Sequence, residues 1–558
     1  MKNWIEGLAR PELKRVAPYI SDRDVAEEKG LRFADLNENA ADLFGSGLNR
    51  YPDPQGSALV EKIASYCNVG RRNVLLFNGS DEAIDILIRV FCRQGKDSVL
   101  VLEPTYSMYR ICAEANGVEA VGVKLGGDFQ PDMKAILATV KRKKPKLIFA
   151  CSPNNPTGNL LDFARLGKIA KSVKAILVVD EAYAEFAGRS FSSQARSYPN
   201  AVVLRTFSKA WALAGARLGY CITSPEIIRL MQKVKLPYNI NSLSQQSALG
   251  AFGRMDAMRK CVQETVRERK KLSEGLRALG MKVYPSDANF VLFALPDGID
   301  AKAVQEKLAG KYRILVRDRS GLVPNALRVT VCTQKENDYF LKSLLGAAAD
   351  AVLFDIDGTL VDVSRSYLEA IRLTAQEISG KKVATRQVAI VKRMPGMNND
   401  WDATVEVLRR QGVRSSREDV VPVFQGLYLG RNGNGLIRSE KPLVQLRLLR
   451  KIRKRVGVVT GRPRVEARIA MRRLGMPKST PLVAMEDTRL GKPDPAPLLL
   501  AKKMLGAKLP VYVGDSVDDC EAAARAGCAF VAIGRGNAQP GEFARFASVN
   551  DAIRRLFI

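Results

Sequence analysis

The stretch Ala351-Val-Leu-Phe-Asp-Ile-Asp-Gly-Thr-Leu-Val-Asp362 decides how this chain is built. Its four leading apolar residues read as a buried strand of a parallel sheet. That strand delivers Asp355 to its carboxyl end, Asp357 follows two residues later, and Gly358 lets the chain turn away. The arrangement suits a carboxylate nucleophile, a proton-transfer partner and a metal ion sharing one pocket. Downstream, 456–460 and 511–514 read as further strands, each followed by a helix. The mostly helical stretch between 363 and 439 is expected to form a cap.

Upstream, residues 1–345 alternate apolar strand-like runs with amphipathic helical ones, the pattern of an α/β domain. The runs 99–102, 147–150, 176–179 and 202–204 read as buried strands, with helices expected at 81–92 and 160–173. From about 250 the texture changes. A charged helix (255–279) leads to strands at 282–284, 289–294 and 327–331, which predicts a smaller α+β lobe. The domain boundaries follow: 1–346, a short linker at 347–350, and 351–558 with its cap at about 363–439.

With 558 residues, each part can bury an ample core. No apolar run approaches the length of a membrane span, and no apolar signal-peptide core follows Met1, so a cytoplasmic protein with reduced thiols is expected. The net charge of +30 divides into +16 for 1–349 and +14 for 350–558. The densest basic runs, 141–146 and 447–455, read as solvated faces rather than nucleic-acid sites, since no binding module accompanies them. Histidine is absent. Histidine-ligated metals and Ser-His or Cys-His catalysis are therefore excluded, and the chemistry must run on Lys, Asp, Tyr, Arg and a cofactor or metal.

In the first domain four segments converge in order: Ser152-Pro-Asn-Asn-Pro-Thr-Gly158, Val178-Val-Asp-Glu-Ala-Tyr183, Arg205-Thr-Phe-Ser-Lys209 and Leu213-Ala-Gly-Ala-Arg-Leu-Gly219. Open α/β sheets bind ligands at the carboxyl ends of their strands, where these residues would lie. A lysine there can form a Schiff base, an aspartate can hold a pyridinium nitrogen protonated, and hydroxyls with an arginine at a helix start can grip a phosphate.

These segments resemble the fold-type I pyridoxal-phosphate aminotransferases, and within them the histidinol-phosphate aminotransferases, over nearly all of 1–345. The resemblance implies a large pyridoxal-phosphate domain with a small lobe. Lys209 would carry the cofactor and move the proton. Asp180 would face the pyridine nitrogen, Asn155 and Tyr183 the ring hydroxyl, and Tyr106 would stack on the ring. Thr206, Ser208, Arg217 and the Gly79-Ser80-Asp81 turn would hold the cofactor phosphate. Tyr51 would reach the neighbouring subunit's phosphate, which implies a homodimer. Tyr19, Arg317 and Arg328 match substrate-binding positions. Two departures touch the substrate pocket: Asn37-Glu-Asn-Ala-Ala-Asp-Leu-Phe44, where the family usually has a proline- and glycine-bearing stretch, and Cys332, where glycine is common.

In the second domain Asp355 and Asp357 are followed by Thr460, by Lys492 in Gly491-Lys-Pro-Asp494, and by Asp515 and Asp519. Clustered carboxylates call for a hard cation. The order and spacing resemble the Mg-dependent phosphatases of the haloacid dehalogenase superfamily, a Rossmann-like domain with a helical cap. By that resemblance Asp355 is the nucleophile, Asp357 the acid–base, and Thr460 and Lys492 the phosphoryl ligands. Asp515 joins Asp355 and the Asp357 carbonyl on Mg²⁺, with Asp519 supporting. In the cap, the run Asn398-Asn-Asp-Trp401 reads either as pocket lining or as a helix-capping turn.

Together the two resemblances imply a bifunctional enzyme of histidine biosynthesis. Glutamate would aminate imidazole-acetol phosphate, yielding 2-oxoglutarate and histidinol phosphate, and the second domain would hydrolyse the latter. Two alternatives stay open: a threonine-phosphate decarboxylase-like enzyme fused to a phosphoglycolate- or sugar-phosphate-type phosphatase, and an aminotransferase with a structural or regulatory C-terminal module.

Overall fold

A run such as Ile176-Leu-Val-Val-Asp180 is apolar without alternation because both faces of its strand are covered. The first sheet of the computed structural model comprises β1 (Val74–Phe77), β2 (Ser98–Glu103), β3 (Glu119–Lys124), β4 (Leu147–Cys151), β5 (Ile176–Asp180), β6 (Ala201–Thr206) and β7 (Gly219–Thr223), all of them buried strands of this kind except the largely exposed edge strand β3. The structure describes residues 4–20, 22–25, 32–392, 394, 397, 399–431, 434–535 and 541–558. The order is β1-β7-β6-β5-β4-β2-β3, with β7 antiparallel to both neighbours and β2–β6 parallel. Cys151 pairs with Asp180 in register, so β4, β5 and β6 present their carboxyl ends along one edge.

The expected helix at 160–173 starts later, at Phe163–Ser172. Asp162 caps it by accepting from the Ala164 amide. Residues 160 and 161 are committed elsewhere: the Leu160 amide donates to Asp287 Oδ2 and the Leu161 amide to Ser152 Oγ. A second, four-stranded antiparallel sheet contains β8 (Lys282–Val283), β9 (Phe290–Ala294), β10 (Arg317–Asp318) and β11 (Ala326–Thr330), in the order β10-β11-β9-β8.

By packing, the chain divides into two compact units. The first comprises Met1–Glu274, Lys282–Ala294 and Val316–Asn337, and holds both sheets above. The second comprises Gly275–Met281, Leu295–Leu315 and Asp338–Ile558. Within the second unit the Tyr312 hydroxyl donates to the Leu556 carbonyl (3.1 Å), and Lys454 donates to the carbonyls of Gly346 and Ala349.

The second unit is organised by a six-stranded, fully parallel sheet. Its chain order is β12 (Ala351–Phe354), β15 (Arg455–Val459), β16 (Leu482–Val483), β17 (Pro510–Gly514), β18 (Ala529–Ile533) and β19 (Glu542–Phe546). In space the order is β16-β15-β12-β17-β18-β19, which places β12 centrally between β15 and β17. Between β12 and β15 the short strands β13 (Val361–Asp362) and β14 (Lys441–Pro442) pair antiparallel. They form the neck of a helical cap, Ser366–Ser379, Thr385–Lys392, Asp400–Arg410 and Arg417–Leu429, with its own apolar core around Ile371, Val407 and Phe424. Asn399 caps the third of these helices, accepting from the amides of Trp401 and Asp402. Asn398 lies outside the described residues. Among the described residues no helix is long and apolar enough to cross a membrane, and all nine cysteines are free thiols.

Candidate active sites

Asp180 ends β5 in a fully enclosed position. Its Oδ2 accepts a hydrogen bond of 2.7 Å from the Tyr109 hydroxyl, and its Oδ1 one of 3.2 Å from the Ala182 amide. Burial pushes this carboxyl up to about 6, although the Tyr109 bond opposes the shift. Tyr109 is wholly buried and stacked on Phe149, with ring centres 4.9 Å apart. The motifs did not single it out. Its place three residues beyond Tyr106, in the first turn of the helix Met108–Ala115, was the available signal.

Beyond β6, the Lys209 ammonium stands 5.7 Å from the centre of the Tyr183 ring. Burial, and then the charge of Arg328, pull the lysine below its ordinary value. Asn155 Nδ2 donates to the Tyr183 hydroxyl at 3.4 Å, and Arg328 donates to Asn155 Oδ1. These side chains face a common space at the sheet edge.

A second cluster gathers at the helix Gly79–Phe91. Thr206 Oγ1 and Ser208 Oγ lie 3.0 Å apart, and Arg217 donates to Ser208 Oγ at 3.5 Å. The same guanidinium reaches Asp81 Oδ2 at 3.5 Å, and the Tyr106 hydroxyl donates to Asp81 Oδ1 at 3.2 Å. Gly79 (φ +76°) opens the helix, and a Cβ there would come within 2.8 Å of Arg217 Nη2. Ser80 borders the same cradle: a Cβ on Gly219 would lie 2.6 Å from its amide. Hydroxyls, a guanidinium and a helix N-terminus are the donor set for a phosphate. With Asp180 and Lys209 beside them, these residues fit a phosphorylated pyridine aldehyde.

The proposed substrate residues are less gathered. Arg317 and Arg328 are paired across β10 and β11, which brings two guanidinium groups to one edge. Arg319, which the motif reading passed over, adds a third. Burial, and next the charges of Arg328 and Arg317, lower it to about 10, and its Nε is buried without a hydrogen-bond partner. Tyr19 and Tyr51 both pack on Tyr238, at 6.4 and 4.8 Å between ring centres, and both stay more than half exposed. The divergent segment near Asn37 is ordered by charge: Glu38 accepts from Arg23 and Arg50.

In the second unit Asp355 leaves β12 with its amide donating to the Val513 carbonyl. Lys492 Nζ bridges Asp355 Oδ1 (2.9 Å) and Asp519 Oδ1 (2.5 Å) and also donates to the Tyr512 hydroxyl. Burial alone would discharge Lys492, but the two carboxylates more than offset it and hold the ammonium well above its ordinary value. Asp519 Oδ2 is occupied by Ser516, through Oγ at 2.8 Å and the amide at 3.2 Å. Burial raises Asp515 to about 6, with Asp519 adding to the shift.

Asp355, Asp515 and Asp519 present carboxylate oxygens within 4.8 Å of one another. A Cβ on Gly358 (φ +68°) would fall 2.0 Å from Asp515 Oδ2, so that carboxylate sits where only glycine leaves room. An all-oxygen set of this kind fits a hard divalent cation such as Mg²⁺. The Asp357 carboxylate turns instead to Arg462, at 2.6 Å from Nη2 and 2.8 Å from Nε. Thr460, at the end of β15, is buried and accepts the Arg462 amide at 3.2 Å. The sequence reading singled out Thr460 but gave Arg462, two residues on, no role. In the fold it is almost fully buried and also binds Glu440 and Tyr428.

Residues 24–344 match the aminotransferase class I and II family model, and the chain belongs to that family. Its relatives include histidinol-phosphate aminotransferases of Christiangramia forsetii, 40% identical over 62% of this chain and 98% of that protein, and of Cytophaga hutchinsonii, 42% identical over 61% and 98%. A histidinol-phosphate aminotransferase from Clostridium acetobutylicum superposes with a TM-score of 0.50 at 26% identity, covering 53% of this chain and 90% of that one. One from Sinorhizobium meliloti, with pyridoxal 5'-phosphate, shares the fold at a TM-score of 0.51, with 24% identity over 54% and 83%. Residues 349–527 match the haloacid dehalogenase-like hydrolase model. Both expected fold classes are thus present, a fold-type I aminotransferase followed by a haloacid dehalogenase-like domain.

Proposed function

We propose that this chain catalyses two consecutive reactions, glutamate-dependent amination of imidazole-acetol phosphate and Mg²⁺-dependent hydrolysis of the resulting histidinol phosphate. The observation that carries this reading is the pairing, on one chain, of 40% identity to histidinol-phosphate aminotransferases with a nucleophile–lysine–carboxylate cluster suited to phosphomonoesters. The activities divide at 347–350, in a cytoplasmic homodimer formed through the first domain. Exposed Tyr19, Ile20, Phe33, Leu43, Phe44 and Tyr51 support a second copy covering the N-terminal segment.

Bound pyridoxal phosphate supplies an electron sink and carries the amino group between half-reactions. Thr206, Ser208, Arg217 and the Gly79–Asp81 turn would hold its phosphate, Asp180 would pair with its ring nitrogen, and Tyr106 would pack on its ring. Burial and the charge of Arg328 lower the basicity of Lys209, which favours its role as the group that takes the proton from the substrate Cα. Arg328, with Arg317 and Tyr19, binds the anionic ends of the substrates.

In the second site Asp355, Asp515 and the Asp357 carbonyl, with Asp519 supporting, would hold Mg²⁺, which would supply charge neutralisation. The Asp355 carboxylate attacks phosphorus and the bond to the alkoxide oxygen breaks, while Asp357 gives that oxygen a proton. Asp357 then takes a proton from water, whose oxygen attacks the aspartyl-phosphate to release phosphate and restore Asp355. Thr460 and Lys492 bind the phosphoryl oxygens.

Complementation of two histidine auxotrophs, one lacking the aminotransferase and one the phosphatase, tests the reading. Rescue of both is expected. Rescue of the aminotransferase strain alone overturns the second step.

A further inference from the structure

A cavity of about 400 Å³ opens from Asp355 toward the cap. Among the described residues its lining carries five carboxylates, Asp355, Asp357, Asp400, Glu466 and Asp515, against three cations, Lys392, Arg462 and Lys492. Each cation has its own carboxylate: Lys492 holds Asp355, Arg462 holds Asp357, and Lys392 holds Asp400 at 2.9 Å. Asp515 belongs to the carboxylate cluster that fits a metal. Glu466 is left over. No lysine or arginine among the described residues lies within salt-bridge distance of it, and it is only 2% exposed.

Glu466 sits at the start of the helix Arg464–Arg473, beyond the Thr460 turn. Two neutral donors from the cap fix its orientation: the Tyr367 hydroxyl reaches Oε2 at 3.0 Å, and Gln425 Nε2 reaches Oε1 at 2.7 Å. Burial lifts the carboxyl to about 7, and the Gln425 bond, the more distant charge of Arg462 and the Tyr367 bond only partly offset the loss of hydration. Around it the wall is aromatic, with Tyr367, Phe424 and Trp401 facing the cavity. Aromatic side chains and a carboxylate without a salt-bridge partner among the described residues attract the same kind of group, a flat or compact cation.

We propose that Glu466 is the specificity-determining residue of the second site, pairing with a cationic leaving group, an ammonium or protonated ring nitrogen, of an alkyl phosphomonoester seated against Tyr367, Phe424 and Trp401. This rests on the phosphatase reading above and names its substrate class. The same carboxylate repels leaving groups that carry a carboxylate of their own.

The test uses the full-length chain with Mg²⁺ and four phosphomonoesters: histidinol phosphate, a simple aminoalkyl phosphate, an uncharged alkyl phosphate of equal length, and phosphoglycolate. The wild type should rank the cationic esters above the neutral one and phosphoglycolate last. Glu466→Gln keeps the hydrogen-bonding shape and removes the charge, and should lower the cationic-to-neutral ratio of kcat/KM by about tenfold or more, chiefly through KM. A purely structural role would lower all four substrates together and leave the ratio in place, which overturns the proposal. If that variant misfolds, the wild-type order decides, and a preference for phosphoglycolate overturns the proposal. Glu466-dependent hydrolysis of the aminoalkyl ester without hydrolysis of histidinol phosphate keeps the proposal and sinks the histidinol-phosphate reading. Efficient hydrolysis of histidinol phosphate with an unchanged ratio in Glu466→Gln does the reverse. Inactivity on all four overturns both.

Discussion

Lys492 Nζ lies 2.9 Å from Asp355 Oδ1 and 2.5 Å from Asp519 Oδ1, so one ammonium ties the end of β12 to the helix Val517–Ala526. Lysine is placed there because two buried carboxylates this close need a cation between them. Removing one member of a buried charged set leaves the others uncompensated, at a cost of about 3–5 kcal/mol. Lys492→Met should therefore abolish phosphate release and lower the melting temperature of the second unit, while transamination persists. Retained phosphatase activity in that variant would remove the lysine from the site.

The two proposed activities would use disjoint residues, which makes a crossed pair of variants decisive. Lys209→Ala should lower transamination by about 10²–10⁴-fold, the range of a positioned proton-transfer group, and abolish the cofactor's visible absorbance shift on binding. Phosphate release should be unchanged in it. Asp355→Asn should lower phosphate release by about 10³-fold or more, on the scale of other nucleophile removals, with transamination intact. Loss of both activities in either variant would show that the sites are not independent.

Gly358 is required by space as well as by its backbone. A Cβ would stand 2.0 Å from Asp515 Oδ2, in a left-handed conformation that already disfavours alanine. Gly358→Ala should displace the Asp515 carboxylate and weaken Mg²⁺ activation by about tenfold or more, as disturbance of a ligand's setting does elsewhere. A titration of phosphatase activity against Mg²⁺ measures this. An unchanged half-saturation would place the metal away from Asp515.

Asp180 provides a pH-dependent prediction. An acid whose folded pKa is raised holds its proton more tightly in the folded chain. The fold therefore loses stability as pH rises from the ordinary carboxylate range to about 6, and the loss is complete above that. The shift corresponds to about 3 kcal/mol for this fully buried group. In cofactor-free protein, Asp180→Asn should gain thermal stability relative to wild type between pH 4 and pH 7, and added pyridoxal phosphate should reverse the ranking at pH 7. A pH-independent difference between the two proteins would mean that Asp180 stays ionised throughout. Tyr109→Phe removes the 2.7 Å bond to Asp180 and should steepen the same profile.

Much of both sites is legible in the sequence, because short motifs tied to strand ends carry position as well as chemistry. Lys209, Asp180 and Asp355 each follow an apolar run, and a parallel strand leaves its next residues at the carboxyl edge of the sheet. Side chains that act from elsewhere are not legible in this way. Tyr109 reaches Asp180 across 71 residues of chain, Arg462 reaches Asp357 across 105, and Tyr367 reaches Glu466 across 99. No local pattern distinguishes these from packed or exposed residues of the same kind.

The sequence by itself determined that the chain joins two α/β parts, each with its own set of strand-end motifs, because hydrophobic period and strand-end motifs are local properties of the chain. It also excluded histidine from every role. Only the tertiary structure decided which charges are left without partners. Charge pairing depends on distances between segments far apart in sequence, so only the folded chain shows that Lys492, Arg462 and Lys392 are spoken for and Glu466 is not.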